Sequence, residues 1–196
     1  KIKREQYKGI VIGITGSIGK TSVKENLKYF LSSFSKVSAS IESYNNFLGI
    51  IISLINIDLL SDFAIFEIGT NNFSEIKELT SIIMPSQIII TNIFPAHLEK
   101  LINTRNVAIE KSDIFNPKYN PNVELAILPN NNIDEELLIK LAKNKFIHNI
   151  FTFGEGCESN LKISNIKKID KNFTELSLDY KNEIIHFTIK NNQLHR

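Results

Sequence analysis

The chain has 196 residues, 42% of them hydrophobic and 22% charged, with a net charge of +2. That length accommodates one domain with a substantial core, and the apolar content with so small a net charge excludes intrinsic disorder. The single Cys157 excludes a disulfide scaffold and suggests a reducing compartment, while no apolar run reaches the roughly 20 residues of a membrane-spanning helix.

Despite a pI near 8.5 the lysines are scattered. The densest groups are Lys1–Arg4 and Lys167, Lys168 and Lys171, which read as solvated surface and imply no nucleic-acid partner. The chain begins without Met and stops directly after an apparent strand, so it is expected to be a piece of a longer protein.

Gly9–Thr15 (GIVIGIT) reads as a strand that runs through Gly16-Ser17-Ile18-Gly19-Lys20-Thr21-Ser22 into a helix from about Thr21 to Ser32, with Val23, Leu27, Phe30 and Leu31 on one face. A short second strand is expected over Lys36–Ser40, and a buried helix over Asn46–Leu60. FAIFEI (Phe63–Ile68) is apolar enough for a strand covered on both faces. Next come a helix over Ser74–Ile83, capped by Ser74 and stopped by Pro85, and a strand over Gln87–Ile93. A helix over Thr104–Phe115, a strand over Val123–Leu128, a helix over Asp134–Lys145 and a strand over Ile150–Phe153 complete the alternation.

That order predicts an α/β fold, a mostly parallel sheet with helices on both faces. From Leu161 to Lys190 the pattern is strand-like without helices, broken at Asp170–Asn172 and Lys181–Asn182; this predicts a C-terminal antiparallel β meander.

The glycine turn is the first chemical signal. Between a buried strand and a helix it offers consecutive N–H groups and a helix N-terminus to an anion. Lys20 adds a mobile positive charge, and the Thr21 hydroxyl is placed for magnesium. The common P-loop, GxxxxGK[ST], has Gly where this chain has Ile14. Gly13, Gly16 and Gly19 with Glu42 leave a dinucleotide-binding turn open, though its GxGxxG spacing is not met; an unliganded turn is the third reading.

Glu67 ends an otherwise apolar strand, where a carboxylate is costly unless it is paired or bound to a cation; it is either a metal ligand or a rim carboxylate capping the next segment. His97 lies just past another strand and opens on the same sheet edge, as a structural histidine or a metal ligand. Taken singly, Lys111 reads as a surface lysine and Asn45-Asn46 as an N-cap pair.

In order, TGSIGKTS, YNNFLG, FEIGTNNFSEI, NIFPAHLE and EKSDIF closely resemble the central ATPase domain of the Mur ligases, which build the peptide of bacterial peptidoglycan. The resemblance runs from about Ile10 to Phe153. Within the family it points to the member that adds D-alanyl-D-alanine to UDP-N-acetylmuramoyl-tripeptide. The other readings kept are a Mur ligase for a different amino acid and a nucleotide-binding module without catalysis. Folylpolyglutamate synthetases share the loop but carry Gly-Ser after its lysine, where this chain has Thr21-Ser22.

The resemblance implies that Gly16 to Ser22, with Lys20, hold the phosphates of ATP, and that Thr21 and Glu67 bind one magnesium ion. It also implies that His97 helps hold a second, bridged through Glu67 and a carbamate on Lys111, and that Asn46 contacts the transferred phosphate. Lys20, Asn46, His97 and Lys111 would then be catalytic. The chain departs from the family pattern at Ile18, Phe47, Ile51 and Pro129-Asn130-Asn131.

By the same resemblance, residues 1–196 correspond to the central domain, incomplete at its C-terminus. An N-terminal UDP-substrate domain and a C-terminal ligase domain lie outside it, so the chain alone is expected to have no ligase activity and weak ATP binding. The whole protein would be cytoplasmic, bacterial and monomeric.

Overall fold

The computed structural model describes residues 2–96 and 98–190. At its centre lies β1 (Ile10–Thr15), flanked in parallel by β3 (Phe63–Glu67) and β4 (Gln87–Ile90). With β2 (Val37–Ala39), β5 (Leu125–Pro129) and β6 (Ile150–Gly154) these form the parallel part of the sheet. The meander, β7 (Leu161–Lys168), β8 (Phe173–Tyr180) and β9 (Glu183–Lys190), continues that sheet, since β7 pairs parallel with β6 before β8 and β9 turn antiparallel. The order is β2-β3-β1-β4-β5-β6-β7-β8-β9.

Side-chain alternation along β1 and β3 splits the core in two. Ile12, Ile14 and Ile65 face α2 (Lys20–Leu31), meeting Val23, Leu27 and Leu31. Val11, Ala64 and Phe66 face the larger cluster on the other side. It is closed by Ile50 and Leu54 of α3 (Phe47–Ile55), Ile76, Leu79 and Ile83 of α4 (Glu75–Ile83), Val107 of α6 (Thr104–Lys111) and Leu138 of α7 (Ile133–Asn144). Because α2 and α4 lie on opposite faces, the carboxyl ends of β1 and β3 open into the crevice where ligands bind in sheets of this kind.

The expected elements are all present, with shifted bounds. The helix expected over 46–60 stops at Ile55, and the strand expected over 87–93 stops at Ile90. The helix expected over 104–115 tightens after Lys111 into a 3-10 turn over Ser112–Phe115. Two helices are additional: α1 (Ile2–Gln6) and the short α5 (Leu98–Leu101). Arg4 of α1 is not solvated surface. Its Nη2 donates to Met84 O at 2.8 Å and its Nε to Ile83 O, closing the C-terminus of α4 where Met84 turns left-handed.

Ser74 does not cap α4 with its side chain; its φ is 75°. The Glu110 carboxylate takes that role from 36 residues away, accepting from Ser74 N at 2.8 Å and Ile76 N at 3.0 Å. In the meander, Lys181 and Asn182, both at positive φ, make the two-residue hairpin that joins β8 to β9. No helix among the described residues is long and apolar enough to cross a membrane.

Candidate functional site

The loop between β1 and α2 is built by its glycines. Gly16 has φ 148°, and a Cβ there would lie 1.9 Å from Thr91 Oγ1; Gly19, at φ 81°, starts α2 in a left-handed conformation. The segment after β4 clamps the loop from the side. Asn92 Oδ1 accepts from Ile18 N at 2.9 Å and Asn92 O from Ser17 N at 3.2 Å, while Thr91 Oγ1 donates to Ile18 O at 2.6 Å. The amides of Ser17 and Ile18 are therefore engaged with Asn92. The first-turn N–H groups of α2, from Lys20 to Ser22, have no carbonyl partner within the helix and are available to an anion. Lys20 Nζ folds back over the loop to Gly16 O at 2.9 Å; burial lowers its pKa, against the opposing pull of Glu67.

Glu67 ends β3 opposite Ile14 and is buried. Its two oxygens have different partners: Thr21 Oγ1 donates to Oε2 at 2.8 Å and Asn45 Nδ2 to Oε1 at 2.8 Å. Asn46 is the true N-cap of α3, its Oδ1 accepting from Gly49 N at 2.9 Å. The Asn45-Asn46 pair thus divides its work: Asn46 caps and Asn45 orients Glu67.

Lys111 is not a surface residue. It is 3% exposed, and its pKa falls to about 7, through burial first and then the charge of nearby Lys20, with Glu110 opposing. Lys20, Thr21, Glu67 and Lys111 therefore share one neighbourhood. His97 lies outside the described residues.

Two clefts meet at this point. One, of about 330 Å³, follows the loop from Ser17 to Ser22 and reaches Glu67. The other, of about 460 Å³, runs between Asn46, Phe47, Asn71, Glu75 and Leu79. Lys20 and Asn45 line both. Glu75 shapes the second cleft by accepting from Asn71 N and Asn72 N at 2.6 and 3.1 Å. Burial alone would raise its pKa, but these donors outweigh it and hold the carboxyl below its ordinary value.

Among the described residues no group of three or more His, Cys, Asp and Glu side chains gathers to hold a metal. What the site presents is the Thr21 hydroxyl and the Glu67 carboxylate beside a phosphate-type loop. Hard oxygen donors of this number suit magnesium, which keeps several waters and takes its remaining ligands from phosphates.

The profile of the Mur ligase middle domain matches residues 14–192. The chain belongs to the Mur ligases. This Mur ligase middle domain is 36% identical over 189 residues to the UDP-N-acetylmuramoyl-tripeptide–D-alanyl-D-alanine ligase of Rickettsia prowazekii (strain Madrid E), covering 95% of the chain and 41% of the relative. It is 34% identical over 112 residues to the enzyme of that name from Escherichia coli (strain K12), covering 57% of the chain and 25% of the relative. Its fold overlays on MurF from Acinetobacter baumannii with a TM-score of 0.82 and 26% identity, over 95% of this chain and 40% of that one. The Mur ligase chain described here thus spans about two fifths of the Rickettsia and Acinetobacter proteins.

Several residues of this Mur ligase site are silent in the sequence. Glu135 reads as a first-turn residue of α7, yet it is fully buried, accepting from Ile93 N at 3.0 Å and from Asn131 N and Nδ2 at 2.8 and 2.9 Å, so it steadies the segment that clamps the loop. Asn92 and Glu110 are equally unmarked; each binds backbone that is remote in sequence. At Pro129-Asn130-Asn131, where the family motif is altered, Asn130 donates to Ser159 Oγ and Asn131 Oδ1 accepts from Glu155 N, so both side chains hold the loop after β6.

Proposed function

We propose that the protein carrying this chain is an ATP-dependent amide ligase of peptidoglycan precursor synthesis that joins D-alanyl-D-alanine to UDP-N-acetylmuramoyl-tripeptide. It would act as a monomer in the bacterial cytoplasm, with no nucleic-acid partner and no membrane span. The observation that carries this reading is the convergence on Lys20 of two clefts, one built for phosphates and one open to a second substrate. The names of the relatives supply the substrates.

In this reading the Lys20–Ser22 N–H groups and the Lys20 ammonium bind the β- and γ-phosphates. The peptide carboxylate enters from the 460 Å³ cleft and attacks the γ-phosphorus; the bond to the β-phosphate oxygen breaks, leaving an acyl phosphate and ADP. The amine of D-alanyl-D-alanine then attacks the acyl carbon. Phosphate leaves with the bonding pair, the amine loses a proton and the amide remains.

The main barrier is bringing anions together, and Lys20 lowers it by standing between the clefts. The Asn46 amide, its oxygen committed to Gly49 N, has only N–H donors left for the moving phosphoryl group. Thr21 and Glu67 would hold one magnesium ion, and His97 and Lys111 a second; bound there, the ions would neutralise phosphate oxygens. Lys111, with a pKa of about 7, is substantially an uncharged amine near neutrality, which is the form that adds CO2 to give a carbamate and a released proton.

The central-domain reading of residues 1–196 is tested by expressing the chain alone, which is expected to show no ligation and weak ATP binding. For the intact protein, phosphate release should require both UDP-N-acetylmuramoyl-tripeptide and D-alanyl-D-alanine. Release indifferent to the peptides, or equal rates with single amino acids replacing the dipeptide, would overturn the assignment.

A further inference from the structure

One turn beyond Lys20, α2 carries a second lysine, Lys24, that the chemistry above does not use. Its side chain is fully buried, at 0% exposure, and an ammonium there must be compensated by bonds. It has three partners for its three donors: Ser40 O at 3.0 Å, Glu42 O, and Glu25 Oε1 at 3.0 Å. Glu25 is half exposed and on the same helix, so the two carbonyls are the informative partners.

Both belong to the segment joining β2 to α3. Ser40 is bound to β3 on two sides, its N–H donating to Ile65 O at 2.8 Å and its hydroxyl accepting from Glu67 N at 3.1 Å. Glu42 has φ 43°, a left-handed backbone that non-glycine residues adopt at a cost, and its carbonyl is held by Lys24. Three residues later Asn45 reaches Glu67 Oε1, and its own carbonyl accepts from Gly69 N at 2.8 Å. Thr21 and Lys24 are three apart and so share a face of α2. One helix therefore grips Glu67 twice, directly through Thr21 and indirectly through Lys24, the 40–45 segment and Asn45.

We propose that Lys24 is a positioning residue for Glu67: by holding the Ser40 and Glu42 carbonyls it sets the segment that aims Asn45, and so fixes the carboxylate for the magnesium-bound nucleotide. This rests on the nucleotide-site reading of the loop. Lys24 itself touches neither nucleotide nor substrate.

The test is the affinity of the intact protein for a fluorescent ADP analogue, measured with magnesium and with EDTA. In the wild type magnesium should strengthen binding. In Lys24→Met that gain should shrink about tenfold, as for outer-shell partners of metal ligands, with the EDTA affinity unchanged. Asn45→Ala should reproduce the loss, and the double variant should be no worse than either single one, because both act along one path. Leu54→Ala, which leaves a void in the core under α3, should keep the full gain although it is destabilised. If Lys24→Met does not fold alone, the measurement is made with Glu42→Gly, which removes the left-handed cost, in both variant and reference.

Full retention of the gain in Lys24→Met, additive losses in the double variant, or a matching loss in Leu54→Ala would overturn the inference. A wild type without any magnesium gain would overturn the nucleotide-site reading, and this inference with it.

Discussion

The two ends of the nine-stranded sheet spend their polar residues differently. Around β1 and β3, charged side chains are taken fully into the interior: Lys24, Glu67, Glu110, Lys111 and Glu135 are all at most 3% exposed. In the meander no lysine or glutamate is buried, Lys162 and Glu175 being half-buried and the others exposed; β9 is exposed along most of its length, and the buried polar residues are the small Thr174 and Ser177. A protein keeps a charge in its core only where bonds or chemistry repay its lost hydration. Four of the five are repaid by hydrogen bonds: Glu110 and Glu135 by backbone N–H groups, Lys24 by carbonyls and Glu67 by Thr21 and Asn45. Lys111 is the fifth, and with Glu67 it is one of the two for which a chemical role is proposed.

That contrast can be broken most severely at Glu67. Glu67→Gln keeps the shape and removes the charge, and in the intact protein it is expected to lower turnover about 10³-fold or more, as losses of phosphate- and metal-binding charge do. Glu175→Gln in β8, the same change in the meander, should leave turnover unaltered. Phosphate release in the two variants checks this directly, and equal effects would erase the distinction.

Lys111→Ala should abolish turnover, with partial recovery by small carboxylates; unaltered turnover would remove the carbamate from the account. Lys111 also makes a stability prediction with a definite sign. Its pKa is near 10.5 unfolded and about 7 folded, so between these values the unfolded chain binds more protons and stability rises with pH. Lys111→Met should therefore gain most over the wild type at or below pH 7, and the difference in Tm should narrow as pH climbs toward 10.

At Glu110 the expected effect is smaller and concerns stability alone. Glu110→Ala leaves the Ser74 and Ile76 N–H groups unsatisfied at the start of α4 and should cost about 1–3 kcal/mol in urea denaturation. The least effect is expected at the exposed end of the comparison, where Lys167→Ser in β7 should change stability by no more than about 0.5 kcal/mol.

Much of this architecture is legible locally. Alternating apolar strands and amphipathic helices announce the parallel sheet, and Asp170–Asn172 and Lys181–Asn182 mark the turns of the meander. Gly16 to Ser22 announces an anion loop, and Glu67 is conspicuous because a lone carboxylate in FAIFEI is expensive. The joining of the meander to β6 is not local: nothing in Leu161–Lys168 records that its first residues pair with Phe153 and Gly154.

The α/β class, the strand–loop–helix unit and the candidate status of Lys20, Thr21 and Glu67 are readable in the chain itself, because spacing and polarity pattern are properties of neighbours along it. The burial of Lys111, the hold of Asn45 rather than Asn46 on Glu67, and the capping of α4 by Glu110 from 36 residues away come from the packing of distant segments. Burial and partnership depend on which distant segments pack around a side chain, and that packing is set by the whole sheet and its covering helices, not by residues adjacent in sequence.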